Sequence, residues 1–351
     1  MMLESGLDYS VSSRLGEAEF LEARTTPLRI TALGGGTGLS ALLQGLRVLH
    51  FPVGMRDEAD QDRLTAIVTM ADDGGSSGAL RRGYNILAPG DIRNCLLALS
   101  DADPTLQELF NFRFDGQLGG HSLGNLMLTA LALLENDFGR AVERASKLLD
   151  VRGRVLPASL DNVQLMAEFV DGSCSMGESR IAAVGRRIRR MSLVPRHVRA
   201  LPQALNAISG SHLVVLGPGS LYTSLIPVLL VRGIAEAIAD SGARVVLAMN
   251  LMTEPGETDG YTAVDVVRAI REHAPELPIH SVLVNSTRPS PEQLRRYAAD
   301  GAEPILPDSL FMKTLGCRAV KCDLLGDGPM VRHEPCKLAR ALINLALEEM
   351  P

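Results

Sequence analysis

Thr31-Ala32-Leu33-Gly34-Gly35-Gly36-Thr37-Gly38-Leu39-Ser40 is the stretch on which the fold class turns. Ahead of it, Leu28 to Leu33 reads as a short buried strand. Behind it, Leu39, Leu42, Leu43, Leu46 and Leu49 recur at helical spacing. The glycines between them are therefore a strand-to-helix turn, where the missing Cβ frees the backbone for positive φ and lets a ligand come close. The N–H groups of the new helix and its dipole face that loop, so an anion is its natural occupant. Thr37 and Ser40 add hydroxyl donors. A tight turn without a ligand is the competing reading. Two familiar nucleotide loops do not fit: a G-x-G-x-x-G run from Gly34 would need glycine where Leu39 stands, and a Walker loop would need a lysine that is not there.

Working outward, Leu64 to Met70 reads as a second strand, ending in Ala71-Asp72-Asp73-Gly74-Gly75-Ser76-Ser77-Gly78. Paired carboxylates and a Gly/Ser nest at a strand end stand where open α/β sheets bind ligands. Asp72 and Asp73 suit ribose hydroxyls, Mg²⁺ or base chemistry; turn chemistry alone is the plainer account. Arg81-Arg82 follows, to meet a phosphate or be solvated. Asp91 opens a helix over Ile92–Leu99, where capping is the ordinary role, and Arg93 and Asn94 sit in its first turn. A basic residue there opposes the dipole, which hints at a ligand. Residues 104–114 read as an amphipathic helix with Phe110, Phe112 and Phe114 as core. Gly119-Gly120-His121-Ser122-Leu123-Gly124-Asn125 opens a strongly apolar helix and brings His121 and Asn125 forward as site candidates.

Residues 151–200 change character and read as a β-rich insertion, with Arg186-Arg187 and Arg189-Arg190 as a solvated basic face. The α/β rhythm resumes at His212 to Leu216, which runs into Gly217-Pro218-Gly219-Ser220-Leu221-Tyr222-Thr223-Ser224 and an apolar helix. This second strand–glycine loop–helix unit, paired with the first, suits a diphosphate. Further strands are expected at Val245–Asn250, Ile279–Asn285, Pro304–Leu306 and Arg318–Leu325, with helices over 263–273, 291–299 and 337–349. Tyr261 is a candidate platform for a base, a use that needs its ring face open. Strands alternating with helices predict an α/β protein with a mostly parallel sheet covered on both faces.

The chain has 351 residues, 46% hydrophobic and 22% charged, enough for a sizeable core. A net charge of -6 and 4% aromatics without tryptophan argue against a nucleic-acid partner. Five scattered cysteines form no C-x-x-C pair, which points away from zinc and toward a reducing compartment. No run is long and apolar enough to span a membrane. Residues 1–26 read as a flexible tail and 27–351 as a single α/β domain that includes the insertion.

These motifs, together with Pro89-Gly90-Asp91-Ile92-Arg93-Asn94 and Pro255-Gly256-Glu257-Thr258, resemble the bacterial gluconeogenesis factors (YvcK-like), which are similar to 2-phospho-L-lactate transferase (CofD). The likeness runs through residues 28–345 in motif order. It implies a Rossmann-like three-layer sandwich and a cytoplasmic protein that binds UDP-sugars, notably UDP-N-acetylglucosamine. It also implies a role in cell shape and wall synthesis under gluconeogenic growth. Tyr261 matches a uracil contact and Arg296 a further nucleotide contact. The residues' own chemistry and the resemblance together give the expected ligand set: Gly35, Gly36, Thr37, Gly38, Asp72, Asp73, Ser76, Ser77, Asn94, His121, Asn125, Gly217, Gly219, Ser220, Thr223, Tyr261 and Arg296. The transferase branch carries further aspartates where this chain has Gly74-Gly75-Ser76-Ser77-Gly78, which favours a non-catalytic binding factor needing no cofactor. If the chain is an enzyme, it is a phospholactate-type transferase, with Asp72, Asp73 and Asp91 as catalytic or Mg²⁺-holding residues. An NAD-dependent dehydrogenase is the weakest reading, for want of the third glycine and of an acid about 20 residues on. A protein partner and a homodimer are expected besides the nucleotide-sugar.

Overall fold

The run from Ile30 to Gly34 becomes a strand buried on both faces because parallel neighbours flank it and helices cover it. A computed structural model describes residues 28–51, 58–116, 119–306 and 313–348. The expected tail at 1–26 lies outside them.

In chain order the elements are β1 (Ile30–Gly34), α1 (Gly36–His50), β2 (Leu64–Val68), α2 (Gly75–Tyr84), α3 (Gly90–Ala98), α4 (Pro104–Asn111), α5 (Leu123–Glu135), α6 (Phe138–Leu148) and β3 (Arg154–Pro157). There follow β4 (Gln164–Phe169), β5 (Cys174–Met176), α7 (Glu178–Val184), β6 (Ile188–Val194), α8 (Pro202–Ser209), β7 (Leu213–Leu216), α9 (Ile226–Leu229) and α10 (Ile234–Asp240). The last are β8 (Arg244–Ala248), α11 (Ala263–His273), β9 (Ser281–Asn285), α12 (Pro291–Ala298), β10 (Arg318–Cys322) and α13 (Pro335–Leu347). Seven strands form one parallel sheet in the order β10-β9-β8-β7-β1-β2-β3. The chain moves from β1 through β2 to β3 on one side and from β7 through β8 and β9 to β10 on the other. The switch point thus lies between β1 and β7, where doubly wound sheets leave a crevice at their carboxyl ends. The expected Rossmann-like α/β architecture is present.

Three expectations are corrected. Val155-Leu156-Pro157 is not part of the insertion: it is the edge strand of the main sheet, paired with β2. The insertion proper is the antiparallel sheet β5-β4-β6 with α7, and the alternating burial of β4 shows one face on the core. Of the three phenylalanines, Phe110 is fully buried, whereas Phe112 is 53% exposed because α4 ends at Asn111 and turns it outward. Pro304 makes one isolated bridge to Met252 rather than a strand. Among the described residues, no helix is long and apolar enough to cross a membrane.

At the end of α1, buried His50 ties three elements together. Its Nε2 lies 2.9 Å from the Leu28 carbonyl and 3.2 Å from that of Arg63, so Nε2–H donates into the starts of β1 and β2. Burial, reinforced by Arg63, lowers its pKa to about 4. Because the unfolded imidazole protonates near 6.5 and the folded one does not, this group's contribution is complete above pH 6.5 and is lost as pH falls toward 4. Comparing urea unfolding of the wild type with His50→Gln should show an excess acid sensitivity in the wild type on the order of 3 kcal/mol across that window. Parallel pH profiles would contradict the assignment.

Candidate functional site

The two glycine loops close on each other at the switch point. A Cβ on Gly38 would lie 2.6 Å from the Pro218 carbonyl oxygen, and one on Gly34 would lie 3.7 Å from the Gly217 Cα. A Cβ on Gly35 would meet Asp91 Oδ2 and Thr69 Cγ2, each at 2.6 Å. Neighbouring atoms exclude a side chain at Gly35 and Gly38, and the backbone conformation, φ 152°, disfavours one at Gly34. Asn250, at the end of β8, fastens the second loop from behind: it accepts from Gly219 N–H at 3.1 Å and donates to the Gly219 carbonyl at 3.0 Å. Above the loops lies a cleft of about 800 Å³. Its floor is Gly35, Gly36, Thr37, Gly38, Gly219 and Ser220, and its walls come from residues 250–255, 297–302 and 331–335.

Carboxylates from elsewhere in the chain serve the starts of both loop helices. Gly35, the N-cap of α1, offers no side chain, and the Gly36 N–H donates to Asp91. Asp91 therefore does not cap its own helix, whose N-cap is Pro89; it caps α1. Burial raises Asp91 to about 6. In the second unit, Glu257 accepts from Tyr222 N–H at 3.3 Å and from the Thr223 hydroxyl at 3.0 Å. Burial, then Glu254, raises Glu257 to about 7. Thr223 is thus a buried partner of Glu257 rather than a cleft residue. Thr37 and Gly38, in the first turn of α1, have no intrahelical acceptor for their N–H groups and line the cleft.

On the β2 side the acids gather around the insertion. Asp72 accepts from Gly74 N–H at 2.8 Å. Asp73 accepts from Ser179 N–H at 2.9 Å and its hydroxyl at 2.8 Å, which docks α7 onto the main sheet. Partly buried Glu178 faces them, and burial plus the charges of Asp72, Asp91, Asp73 and Glu257 raises it to about 9. Ser76 Oγ lies 2.9 Å from His121 Nδ1 and accepts from Asn125 at 3.0 Å, so three expected site residues form one chain of hydrogen bonds. Ser77 is buried. Arg93 is buried and spends its guanidinium on Ser122 and Asn94, so its place in the first turn of α3 reflects packing rather than a ligand. Arg81 is likewise inward, held by Asn162 and the Val163 carbonyl. Mg²⁺ does not fit this arrangement. Asp72, Asp73 and Asp91 each accept from a backbone donor, and among the described residues no three His, Cys, Asp or Glu side chains converge where an ion could sit.

Two expected contacts stand apart from the cleft. Tyr261 is buried, its hydroxyl 2.8 Å from that of Tyr222, and the Arg187 guanidinium stands over its ring at 5.6 Å. The open face that a base platform needs is occupied, and Arg187 is not simply part of a solvated basic face. Arg296 is half-exposed and paired with Glu292 of its own helix; its neighbour Tyr297 lines the cleft instead. Sequence reasoning missed Arg332, His333, Asn250 and Glu178. The first two follow the turn-like run Gly326-Asp327-Gly328-Pro329, whose composition announces a loop but not which site it overhangs.

The family model for 2-phospho-L-lactate transferase CofD matches residues 30–325, which spans every strand of the main sheet. The chain belongs to the CofD family. Within it, the chain is similar to the gluconeogenesis factor of Halalkalibacterium halodurans, 44% identical over 90% of this chain and 95% of the relative. It is also 44% identical to the gluconeogenesis factor of Bacillus subtilis, over 91% of this chain and 98% of that one. A crystal structure of a Bacillus halodurans protein superposes with a TM-score of 0.85 at 42% identity, covering 90% of this chain and 99% of that chain.

Asp91 and Glu257 make the cleft sensitive to pH. An anion above the loops is repelled by their ionised forms and tolerated by their protonated ones, so binding raises both pKa values further and takes up protons. Affinity for a diphosphate should therefore weaken as pH rises from about 5.5 to about 8. Asp91→Asn should flatten the lower part of that profile. Calorimetry in buffers of different ionisation enthalpy reads the proton uptake directly, and its absence would contradict the coupling.

Proposed function

We propose that this chain is a nucleotide-sugar-binding gluconeogenesis factor that holds UDP-N-acetylglucosamine, without consuming it, and passes the signal to a protein partner. On this reading it acts in the cytoplasm and supports cell shape and wall synthesis during gluconeogenic growth. The observation that carries the reading is the first turn of α1 at the switch point of a parallel sheet, where Asp91 takes the Gly36 N–H and the next N–H groups lack an intrahelical acceptor. Thr37 and Gly38 N–H groups line the cleft there, and Arg332 joins the same cleft as a cation. The cleft volume of about 800 Å³ falls in the usual range for small-molecule sites. The diphosphate lies over the loops. The sugar hydroxyls meet the carboxylates of Asp72 and Asp73, which are acceptors, and the protonated carboxyl of Glu178. Binding without turnover is supported by the engagement of Asp72 and Asp73 with the protein's own donors.

One arrangement favours a second reading, transfer chemistry of the phospholactate type. The Ser76 hydroxyl accepts from Asn125 and so turns its proton toward His121 Nδ1, a hydroxyl–imidazole pair that can move a proton.

Calorimetric titration of nucleotide-free protein with UDP-N-acetylglucosamine, with and without Mg²⁺, followed by chromatography of the ligand, separates the two. Saturable, Mg²⁺-independent binding with intact ligand is the expected result. Arg332→Ala should weaken binding about tenfold or more, the loss of a hydrogen bond to a charged group. Breakdown of the ligand would favour the transfer reading, and absence of binding would overturn the proposal.

A further inference from the structure

Helix α5 is amphipathic in reverse. Between Leu123 and Glu135 its only uncharged polar side chains are Asn125 and Thr129, and its only charge is the last residue. Both polar side chains point inward: they are buried, Asn125 donates to Ser76 and Thr129 donates to the Asn125 carbonyl. The opposite face carries Leu123, Met127, Ala130 and Leu134, flanked by Leu126 and Leu133. Ala130, Leu133 and Leu134 are exposed, Leu134 by 75%. A surface helix ordinarily turns its polar side to water, and a helix that is apolar all round is ordinarily covered. Among the described residues nothing covers Leu133 or Leu134.

The patch continues onto the preceding segment. The Leu123 N–H donates to the Phe112 carbonyl at 2.8 Å, which sets Phe112 beside the start of the stripe. Phe112 is 53% exposed, and Leu109, at the end of α4, is 46% exposed. Together these side chains leave on the order of 500 Å² of apolar surface in water, the upper part of what a monomer ordinarily shows. Two such faces joined bury about 1,000 Å², the area that a specific interface has to reach.

The shape of the stripe selects its occupant. Leu123, Met127, Ala130 and Leu134 are spaced four, three and four apart, the seam that helices use when they pack lengthwise on one another. Ala130, a small residue near the middle of the seam, lets two helix axes approach to about 8–10 Å. α5 holds no lysine or arginine, so an anionic lipid surface is a poor match. A second copy of this chain brings the same seam, and an antiparallel crossing opposes the two helix dipoles.

We propose that α5 is the interface of a homodimer: two copies pack antiparallel along the stripe from Leu123 to Leu134, across a two-fold axis, with Phe112 and Leu109 at the margins. The contact uses the same surface on both copies, so it closes at two. It is independent of what the cleft binds.

Sedimentation velocity of the full chain at micromolar concentration tests this. The wild type should sediment at twice the chain mass. Leu134→Glu changes an exposed side chain and should leave the fold intact, as circular dichroism checks. The substitution occurs twice across the axis, so it should raise the dissociation constant about a hundredfold or more. Ala130→Cys treated with a short bis-maleimide should give a covalent dimer in excess of any that the wild type forms through its exposed Cys174. A monomeric wild type would overturn the proposal, whether the stripe is then covered by another part of this chain or by another protein. A dimer unchanged in folded Leu134→Glu, or no added cross-link in Ala130→Cys, would overturn it by placing the contact elsewhere.

Discussion

The backbone of one glycine loop rests directly on the backbone of the other, and the rest of the site follows from that contact. Gly38 meets Pro218 at a distance that leaves no room for a side chain, while Gly35 is hemmed in by Asp91 and Thr69. Both loops are strand-to-helix turns on adjacent parallel strands, β1 and β7, on either side of the switch point. Had either loop carried side chains, the strands would still pair, but the cleft floor would be filled with Cβ atoms instead of backbone N–H groups. Asn250 holds the second loop in place with two hydrogen bonds to Gly219, so the floor is set by the sheet rather than by the ligand.

A helix start that faces a cleft invites an anion, and this protein brings two of its own. Asp91 reaches α1 and Glu257 reaches the turn after the second loop, both from distant segments. Their raised pKa values express one conflict: the N–H groups favour the charge, while burial opposes it more strongly. Glu178 extends the conflict into the insertion, which Asp73 docks through Ser179. Acids thus gather beside the loops on the β2 side of the sheet, and Arg332 in the cleft wall supplies charge of the other sign.

Much of this was legible in the sequence, because periodicity and glycine placement act locally. The apolar runs of β1, β2, β7 and β8, the helix spacing from Leu39 to Leu49 and the two glycine loops needed no tertiary knowledge. What the sequence could not show was partnership across long separations. Asp91 read as the cap of its own helix, yet it serves α1. Arg93 read as a misfit awaiting a ligand, yet Ser122 and Asn94 satisfy it. Tyr261 read as a platform, yet Arg187 of the insertion covers its ring. Arg332 and His333 carried no local signal: the fold alone sets their place in the cleft wall. Val155 to Pro157 was assigned to the insertion because a short strand does not announce which sheet it will join.

The most direct test of the account is a crystal structure of the protein with UDP-N-acetylglucosamine bound. The account predicts the diphosphate within hydrogen-bonding distance of the Thr37 and Gly38 amides, with the sugar toward Asp72 and Glu178. A diphosphate lodged away from the two glycine loops, or a ligand lying the other way round in the cleft, would contradict it.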